Sequence, residues 1–152
     1  MSTGSDRQRP NGGSVDAMSG WLARDRSGLS PVLLLQPDLE SALQLASKLE
    51  AANFCVSVKV DAESALQAMQ RAFFFALVVV ADLPNPDCLA ALKSFRRAAM
   101  QSWMIVGTPC CDVQARQVIH RHGGDGCIAL PISADDLIAR LDAFSIRSRP
   151  TL

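Results

Sequence analysis

Five short apolar runs, separated by stretches with helical spacing, constrain this fold more than any other feature of the sequence. The runs are PVLLLQ (31–36), CVSVKV (55–60), FALVVV (75–80), WMIVG (103–107) and CIAL (127–130). Short runs rich in β-branched and aliphatic residues are typical of strands. Each run is followed by a segment whose apolar residues recur every three or four positions, which indicates a helix. The pattern predicts five strands alternating with five helices.

Polar residues mark where these helices begin and end. Asp38, Asp61 and Asp87 are predicted to cap the first three helices. Ser133 opens an S-x-x-D capping box for the last one. The Gly123-Gly124 pair predicts the end of the fourth helix, since glycine takes the left-handed cap conformation at little cost. The apolar spacing predicts a buried face on the first helix formed by Leu39, Leu43, Ala46 and Leu49.

Parallel strands joined through helices need right-handed crossovers, which place helices on both faces of a sheet. We therefore predict an α/β fold: a doubly wound, five-stranded parallel sheet of order 2-1-3-4-5. Residues 31–146 are expected to form this domain. Residues 1–30 and 147–152 are expected to be flexible tails, because they are polar and lack apolar periodicity.

Composition excludes several classes of function. The 152 residues suffice for one domain, and 15 basic side chains balance 15 acidic ones. This neutrality argues against nucleic-acid or membrane binding through bulk charge. No apolar run reaches the roughly 20 residues of a membrane span, and the N-terminus has no secretion signal.

The five cysteines are Cys55, Cys88, Cys110, Cys111 and Cys127. Their number is odd and no C-x-x-C occurs, so neither a disulfide framework nor a zinc knuckle is expected. We predict reduced cysteines that pack as small apolar side chains. The cytoplasm is the expected compartment.

Three segments, in the right order, resemble the receiver domain of bacterial response regulators, the CheY-like type. They are LPNPDCLAALKSFR (83–96), MIVGTP (104–109) and GGDGCIALPISADDL (123–137). The resemblance covers roughly residues 31–146 and implies the three-layer flavodoxin-like sandwich. In that family, acids after strand one hold Mg²⁺ and an aspartate ending strand three accepts a phosphoryl group. A Thr or Ser after strand four and a Lys after strand five bind the phosphoryl oxygens.

An ungapped alignment places neutral residues at most of these positions. The acid pair falls on Gln36 and Pro37, the acceptor on Val80, the lysine on Leu130 and the aromatic switch position on Cys127. What survives is a set of three residues, Asp38, Thr108 and Pro131. A valine cannot attack phosphorus and a leucine cannot replace an ammonium group. The resemblance therefore implies a pseudo-receiver, with no catalytic residue, no metal and no cofactor expected.

A rival register leaves one alternative open. DLPNP also fits the family's D-L-x-x-P, which would make Asp82 the acceptor after a two-residue deletion. In the ungapped register Asp82 is a solvated loop residue.

Other candidate sites have weaker signals. His120 and His122 point about 200° apart on a helix and cannot chelate one ion from it. The vicinal Cys110-Cys111 pair could sense oxidant, although no basic residue adjoins it. The basic residues of KSFRRAAM (93–100) are interpreted as a solvated helix face, and FFF (73–75) as the approach to a core strand.

Three functions remain at this stage. The first is an interaction module for a protein partner or a second copy, using residues 113–122, 127–130 and 134–146. The second is a receiver-like antitermination regulator, because VLLLQPDLE and GCIALP are similar to the pseudo-receiver of the amidase-operon antiterminator. The third is a phosphoacceptor that uses Asp82. An enzyme is not expected.

Overall fold

A computed structural model describes residues 29–83 and 85–147, and within them the predicted alternation of strands and helices is confirmed. The strands are β1 (Ser30–Leu35), β2 (Phe54–Lys59), β3 (Ala76–Val80), β4 (Trp103–Thr108) and β5 (Gly126–Ala129). The helices are α1 (Leu39–Ala51), α2 (Ala62–Arg71), α3 (Pro86–Ala98), α4 (Val113–Arg121) and α5 (Ala134–Ser145). The predicted N-terminal tail lies outside the described residues up to position 28, as does the C-terminal tail from position 148.

The strands form one sheet in the order β2-β1-β3-β4-β5, as predicted. The β1–β3, β3–β4 and β4–β5 pairs are all parallel. β2 and β5 are the edges, which agrees with the alternating polar residues of β2. The fold is the doubly wound, three-layer sandwich.

Each face of the sheet has its own core. Successive residues of a strand point to opposite faces, so Leu33 and Leu77 pack against α2, α3 and α4, whereas Leu34 and Val78 pack against α1 and α5. All four are fully buried. This two-sided burial explains why the strands are continuous apolar runs rather than alternating ones.

Of the predicted N-caps, Asp61 and Ser133 are confirmed, whereas Asp38 stands at the N-cap position of α1 without accepting a backbone amide there. Asp61 accepts the Ser64 amide at 2.7 Å, and Ser133 accepts the Asp136 amide at 3.3 Å. The prediction for Asp87 was wrong: Asn85 is the N-cap of α3 and accepts the Asp87 amide at 2.8 Å. Pro86 occupies the first helical position, so the helix begins before Asp87.

α4 ends in a Schellman motif at the predicted glycines. The Gly124 amide donates to the Ile119 carbonyl at 2.9 Å and the Gly123 amide to the His120 carbonyl at 3.1 Å. Gly123 has a φ of 99°, which only glycine adopts easily.

The predicted buried face of α1 was partly wrong. Leu39 and Leu43 are 52% and 54% exposed, whereas Ala42 and Leu45 are buried beside Leu49. The buried face of α1 is instead formed by Ala42, Leu45, Ala46 and Leu49, which also have helical spacing.

In the described part of the chain, no helix has both the length and the apolar character needed to cross a membrane.

Candidate functional site at the carboxyl edge of the sheet

The carboxyl ends of the inner strands bring together the residues that the resemblance singled out. Leu35 pairs with Val79, Val80 with Gly107, and Thr108 with Ala129. Gln36, Val80, Thr108 and Leu130 therefore all lie at one edge of the sheet. Ligand sites of doubly wound folds form at this edge, so it is the candidate site.

Val80 is the last residue of β3, and the strand ladder continues one residue beyond it. The Ala81 amide donates to the Gly107 carbonyl at 2.9 Å. Asp82 follows as an exposed residue, and its carbonyl accepts the Asn85 amide at 3.0 Å in the turn that leads to α3. The residue that ends the strand is thus apolar, and the carboxylate stands beyond the strand in a solvated turn.

Leu130 covers the end of β4. A Cβ atom built on Gly107 would lie 3.1 Å from Leu130 Cδ2 and 3.2 Å from Ile132 Cδ1. The backbone of Gly107 is therefore in close contact with two aliphatic side chains. The Leu130–Pro131 peptide bond is cis. Apolar contact fills this space, where the resemblance implied a lysine.

The polar groups after β1 bond to one another. Gln36 Oε1 accepts the Asp38 amide at 3.2 Å, and the Ser41 hydroxyl donates to Asp38 Oδ2 at 2.6 Å. Asp38 is the N-cap residue of α1 in position, although its carboxylate accepts no backbone amide there. Pro37 is exposed.

Thr108 is the polar residue that remains buried at this edge, with 3% of its surface exposed. Across residues 29–83 and 85–147, no three His, Cys, Asp or Glu side chains are grouped so that they could hold a metal ion. The edge thus holds the Gln36 amide and the buried Thr108 hydroxyl among aliphatic groups, while the carboxylates of Asp38 and Asp82 are exposed beyond the strand ends.

The prediction of reduced cysteines was wrong for two of them. Cys111, in the loop before α4, and Cys127, on β5, form a disulfide with a Cα–Cα distance of 6.0 Å. The vicinal Cys110-Cys111 pair is therefore not a free dithiol, and Cys127 at the switch position is 7% exposed and covalently linked. Sequence spacing missed this bond because the partners are brought together by parallel strand pairing, not by a short motif.

An ion pair formed by a buried arginine was also missed. Arg96 was interpreted as part of a solvated face, yet it is 8% exposed. Its Nη2 donates to Asp125 Oδ2 at 3.0 Å, and its Nε donates to the Gly123 carbonyl at 2.9 Å. The spacing held a signal, because Arg96 lies four residues after buried Leu92 and therefore on the same helix face.

A groove of about 590 Å³ runs along β5 between α4 and α5. It is lined by polar and charged side chains from both helices, namely Arg116, His120, Asp136 and Arg140. His122 does not line this groove, and its Nδ1 lies 2.8 Å from the Val118 carbonyl oxygen. The groove coincides with the face that the sequence assigned to partner contacts.

This chain is similar in sequence to a regulatory protein and in structure to many solved domains. No protein-family model matches the chain. A probable transcriptional regulatory protein of Sinorhizobium fredii is 30% identical over 116 residues, which are 76% of this chain and 50% of that protein. The chain thus spans about half the length of the curated relative it matches.

Many solved structures that share the fold are receiver domains. The Francisella response regulator 1452 receiver domain superposes with a TM-score of 0.68 at 22% identity, over 76% of this chain and 95% of that one. A putative response regulator from Chloroflexus aurantiacus gives 0.69 at 22% identity, over 78% and 99%. An orphan response regulator of H. pylori gives 0.67 at 19%, over 77% and 97%. The chain has the CheY-like receiver fold.

Proposed function

We propose that this chain is a pseudo-receiver: a phosphorylation-independent module that regulates by binding a protein partner. It would act in the bacterial cytoplasm, in signalling of the two-component type, without enzymatic activity or cofactor. The observation that carries the proposal is the apolar carboxyl edge, where Val80 ends β3 and Leu130 packs over Gly107. A phosphoryl group and Mg²⁺ together require carboxylates and a cation at this place.

The groove along β5 supports a binding role. Its walls carry two arginines and a histidine as well as aspartates. Arg116 and Arg140 contribute positive charge to these walls, and Asp136 contributes negative charge. Mixed charge around an accessible strand edge is the composition of an interaction surface with specificity. A second copy of the chain is one possible occupant.

Acetyl phosphate with Mg²⁺ tests the absence of phosphorylation. The wild-type chain is expected to keep its unmodified mass after incubation. An intact receiver domain treated in parallel is the positive control. A stoichiometric phosphoryl adduct on the wild type would contradict the proposal.

Charge reversal tests the binding face. Arg116→Glu and Arg140→Glu should weaken partner binding or self-association about tenfold, or about 1.4 kcal/mol. Lys48→Glu, on exposed α1, is the matched control and should bind as the wild type does. Self-association is measured by sedimentation over a concentration series, and partner binding by pull-down followed by titration. Equal binding by all three variants would show that the face is wrong.

Phosphorylation at Asp82 is the second candidate function. It is favoured by one observation, namely that Asp82 is exposed just beyond the end of β3 while Thr108 stands buried at the end of β4. An adduct that disappears in Asp82→Asn would establish it.

Regulation of gene expression is a further form of the same module. The transcriptional regulator from Sinorhizobium fredii supports it, since the chain matches half of that protein. The similarity to an antitermination regulator stays a prediction, and detection of RNA or an RNA-binding partner in a purified complex would test it.

A further inference from the structure

The disulfide joins the start of α4 to the edge strand of the sheet. Cys111 immediately precedes Asp112, the N-cap of α4, and Cys127 is the second residue of β5. The Cα–Cα distance of 6.0 Å lies within the range of ordinary disulfides, so no backbone movement is needed to form the bond.

The two halves of α4 are held by different means. The C-terminal half is anchored by Ile119, which is 1% exposed, and by the Schellman motif that follows. The N-terminal half is mostly exposed, and only Ala115 packs partly against the core. A helix of nine residues has little stability of its own. The link to β5 is therefore the strongest connection of the N-terminal half to the domain.

The two sulfurs differ in access. Both cysteines line the groove, but Cys127 is buried in the core cluster beneath α4, whereas Cys111 is partly exposed. An incoming thiolate can therefore attack Cys111 more easily than Cys127. Arg116 lines the same groove, and a nearby positive charge favours the thiolate form of a sulfur.

We propose that Cys111–Cys127 is a reversible thiol–disulfide site for low-molecular-weight thiols and their disulfides, and that its reduction releases residues 109–116 from β5. The inference stands independently of the proposed function, because it concerns thiol chemistry and the mobility of one segment.

The exchange proceeds in two balanced steps. A small-molecule thiolate attacks Cys111 Sγ, which forms a mixed disulfide and expels Cys127 as a thiolate that takes up a proton. A second small-molecule thiolate then attacks the small-molecule sulfur of the mixed disulfide. Cys111 leaves as a thiol after protonation, and the small molecule is oxidised to its disulfide. The reverse sequence, with the small-molecule disulfide as oxidant, restores the bond.

A glutathione buffer series with a trapping reagent tests the site on the whole chain. At each ratio of reduced to oxidised glutathione, free thiols are alkylated and the cysteine peptides are quantified by mass spectrometry. Cys111 and Cys127 should become labelled together across one midpoint, while Cys110 is labelled at every ratio. A pair that stays reduced at the most oxidising ratio, or stays bonded at the most reducing one, would overturn the proposal.

Hydrogen exchange on the same samples tests the structural consequence. Amides of residues 110–116 should exchange about tenfold faster after reduction, whereas β1 and β3 keep their protection. Loss of protection in β1 and β3 would mean that the bond holds the whole fold, and unchanged exchange at 110–116 would mean that it holds nothing. Either result contradicts the proposal.

Two variants complete the test. Cys111→Ser replaces the partly exposed sulfur, so the core stays intact, and should show the fast exchange of the reduced protein at every ratio. Cys110→Ser is the matched control, one residue away and exposed, and should keep the midpoint and exchange pattern of the wild type. A shifted midpoint in Cys110→Ser, or slow exchange in Cys111→Ser, would contradict the assignment.

Discussion

The two ends of this sheet handle charge in opposite ways. At the amino ends of β4 and β5, the buried Arg96 forms an ion pair with the partly buried side chain of Asp125, and its guanidinium also donates to the Ser102 and Ala99 carbonyls. At the carboxyl ends, where ligands of this fold bind, the corresponding space holds aliphatic groups from Leu130 and Ile132. Buried charge occurs where Arg96 links secondary-structure elements. Among the described residues, no buried charged side chain lies at the candidate site at the carboxyl edge.

The difference has a physical reason. A buried charge is tolerated only when its partners satisfy it, and Arg96 and Asp125 meet this condition through several hydrogen bonds. A phosphorylation pocket is an unsatisfied cluster of like charges until its ion binds, and such a cluster costs stability. A domain that no longer uses the ion gains by replacing those groups with apolar ones. We therefore expect the ionic end to be sensitive to mutation and the neutral end to behave as ordinary core.

The largest effect is expected from Arg96→Ala. The substitution removes the cation that pairs with the partly buried Asp125 side chain and the donor to the Ala99 and Ser102 carbonyls, which should lower the free energy of unfolding by about 3–5 kcal/mol. Urea denaturation measures it. Arg97→Ala, at the exposed neighbouring position, is the control and should change stability by less than about 0.5 kcal/mol. Equal effects would mean that the ion pair has no special role.

A smaller loss is expected from Asp125→Asn. In the wild type the Met104 backbone amide donates to Asp125 Oδ2 at 2.9 Å, and the side-chain oxygen of an asparagine of the same shape can still accept it. The asparagine lacks the charge that pairs with Arg96. Hydrogen bonds to charged groups contribute about 1.5–3 kcal/mol, so a loss in this range is predicted by urea denaturation. The exposed Asp135→Asn serves as control. An Asp125→Asn variant with the same free energy of unfolding as the wild type would refute the electrostatic interpretation.

At the neutral end, Leu130→Ala should cost about 1–2 kcal/mol, because the side chain is only partly buried. Leu43→Ala on the exposed side of α1 is the matched control, expected within about 0.5 kcal/mol of the wild type. If Leu130→Ala left the free energy of unfolding unchanged, Leu130 would not act as a core residue, and the comparison of the two ends would fail.

The smallest effect concerns Asp61, which follows β2 and is the N-cap of α2. Hydrogen bonds from the hydroxyl and the amide of Ser64 hold the pKa of Asp61 below its usual value of 3.8. A lowered folded-state pKa stabilises the fold above the unfolded pKa, and this contribution disappears as the pH falls through the folded pKa. Ser64→Ala should raise the pKa of Asp61 toward its usual value. Carboxyl NMR titration measures this, and an unchanged pKa would contradict the assigned cause.

Local patterns predicted the fold well because each step depends on neighbouring residues. Apolar strand runs, the helix stop at Gly123-Gly124 and the cap at Ser133 can all be recognised from a few neighbouring residues. The choice between Leu39 and Ala42 on α1, by contrast, depends on how closely the helix approaches the sheet. The Cys111–Cys127 bond and the Arg96–Asp125 pair join distant segments, so only the folded geometry reveals them.

The site was predictable in part. Alignment by resemblance located Gln36, Val80, Thr108 and Leu130, and parallel pairing brings the strands that carry or precede them to one edge. The packing of Leu130 against Gly107 could not be predicted, because it depends on the path of the chain after β5.

An NMR titration with Mg²⁺ and beryllofluoride tests most directly whether this edge lacks phosphoryl chemistry. The amide signals of residues 80–83, Gly107 and Thr108 should remain unchanged through the addition of both reagents, as in Asp82→Asn treated identically. Saturable shifts of these signals in the wild type that vanish in Asp82→Asn would contradict the account.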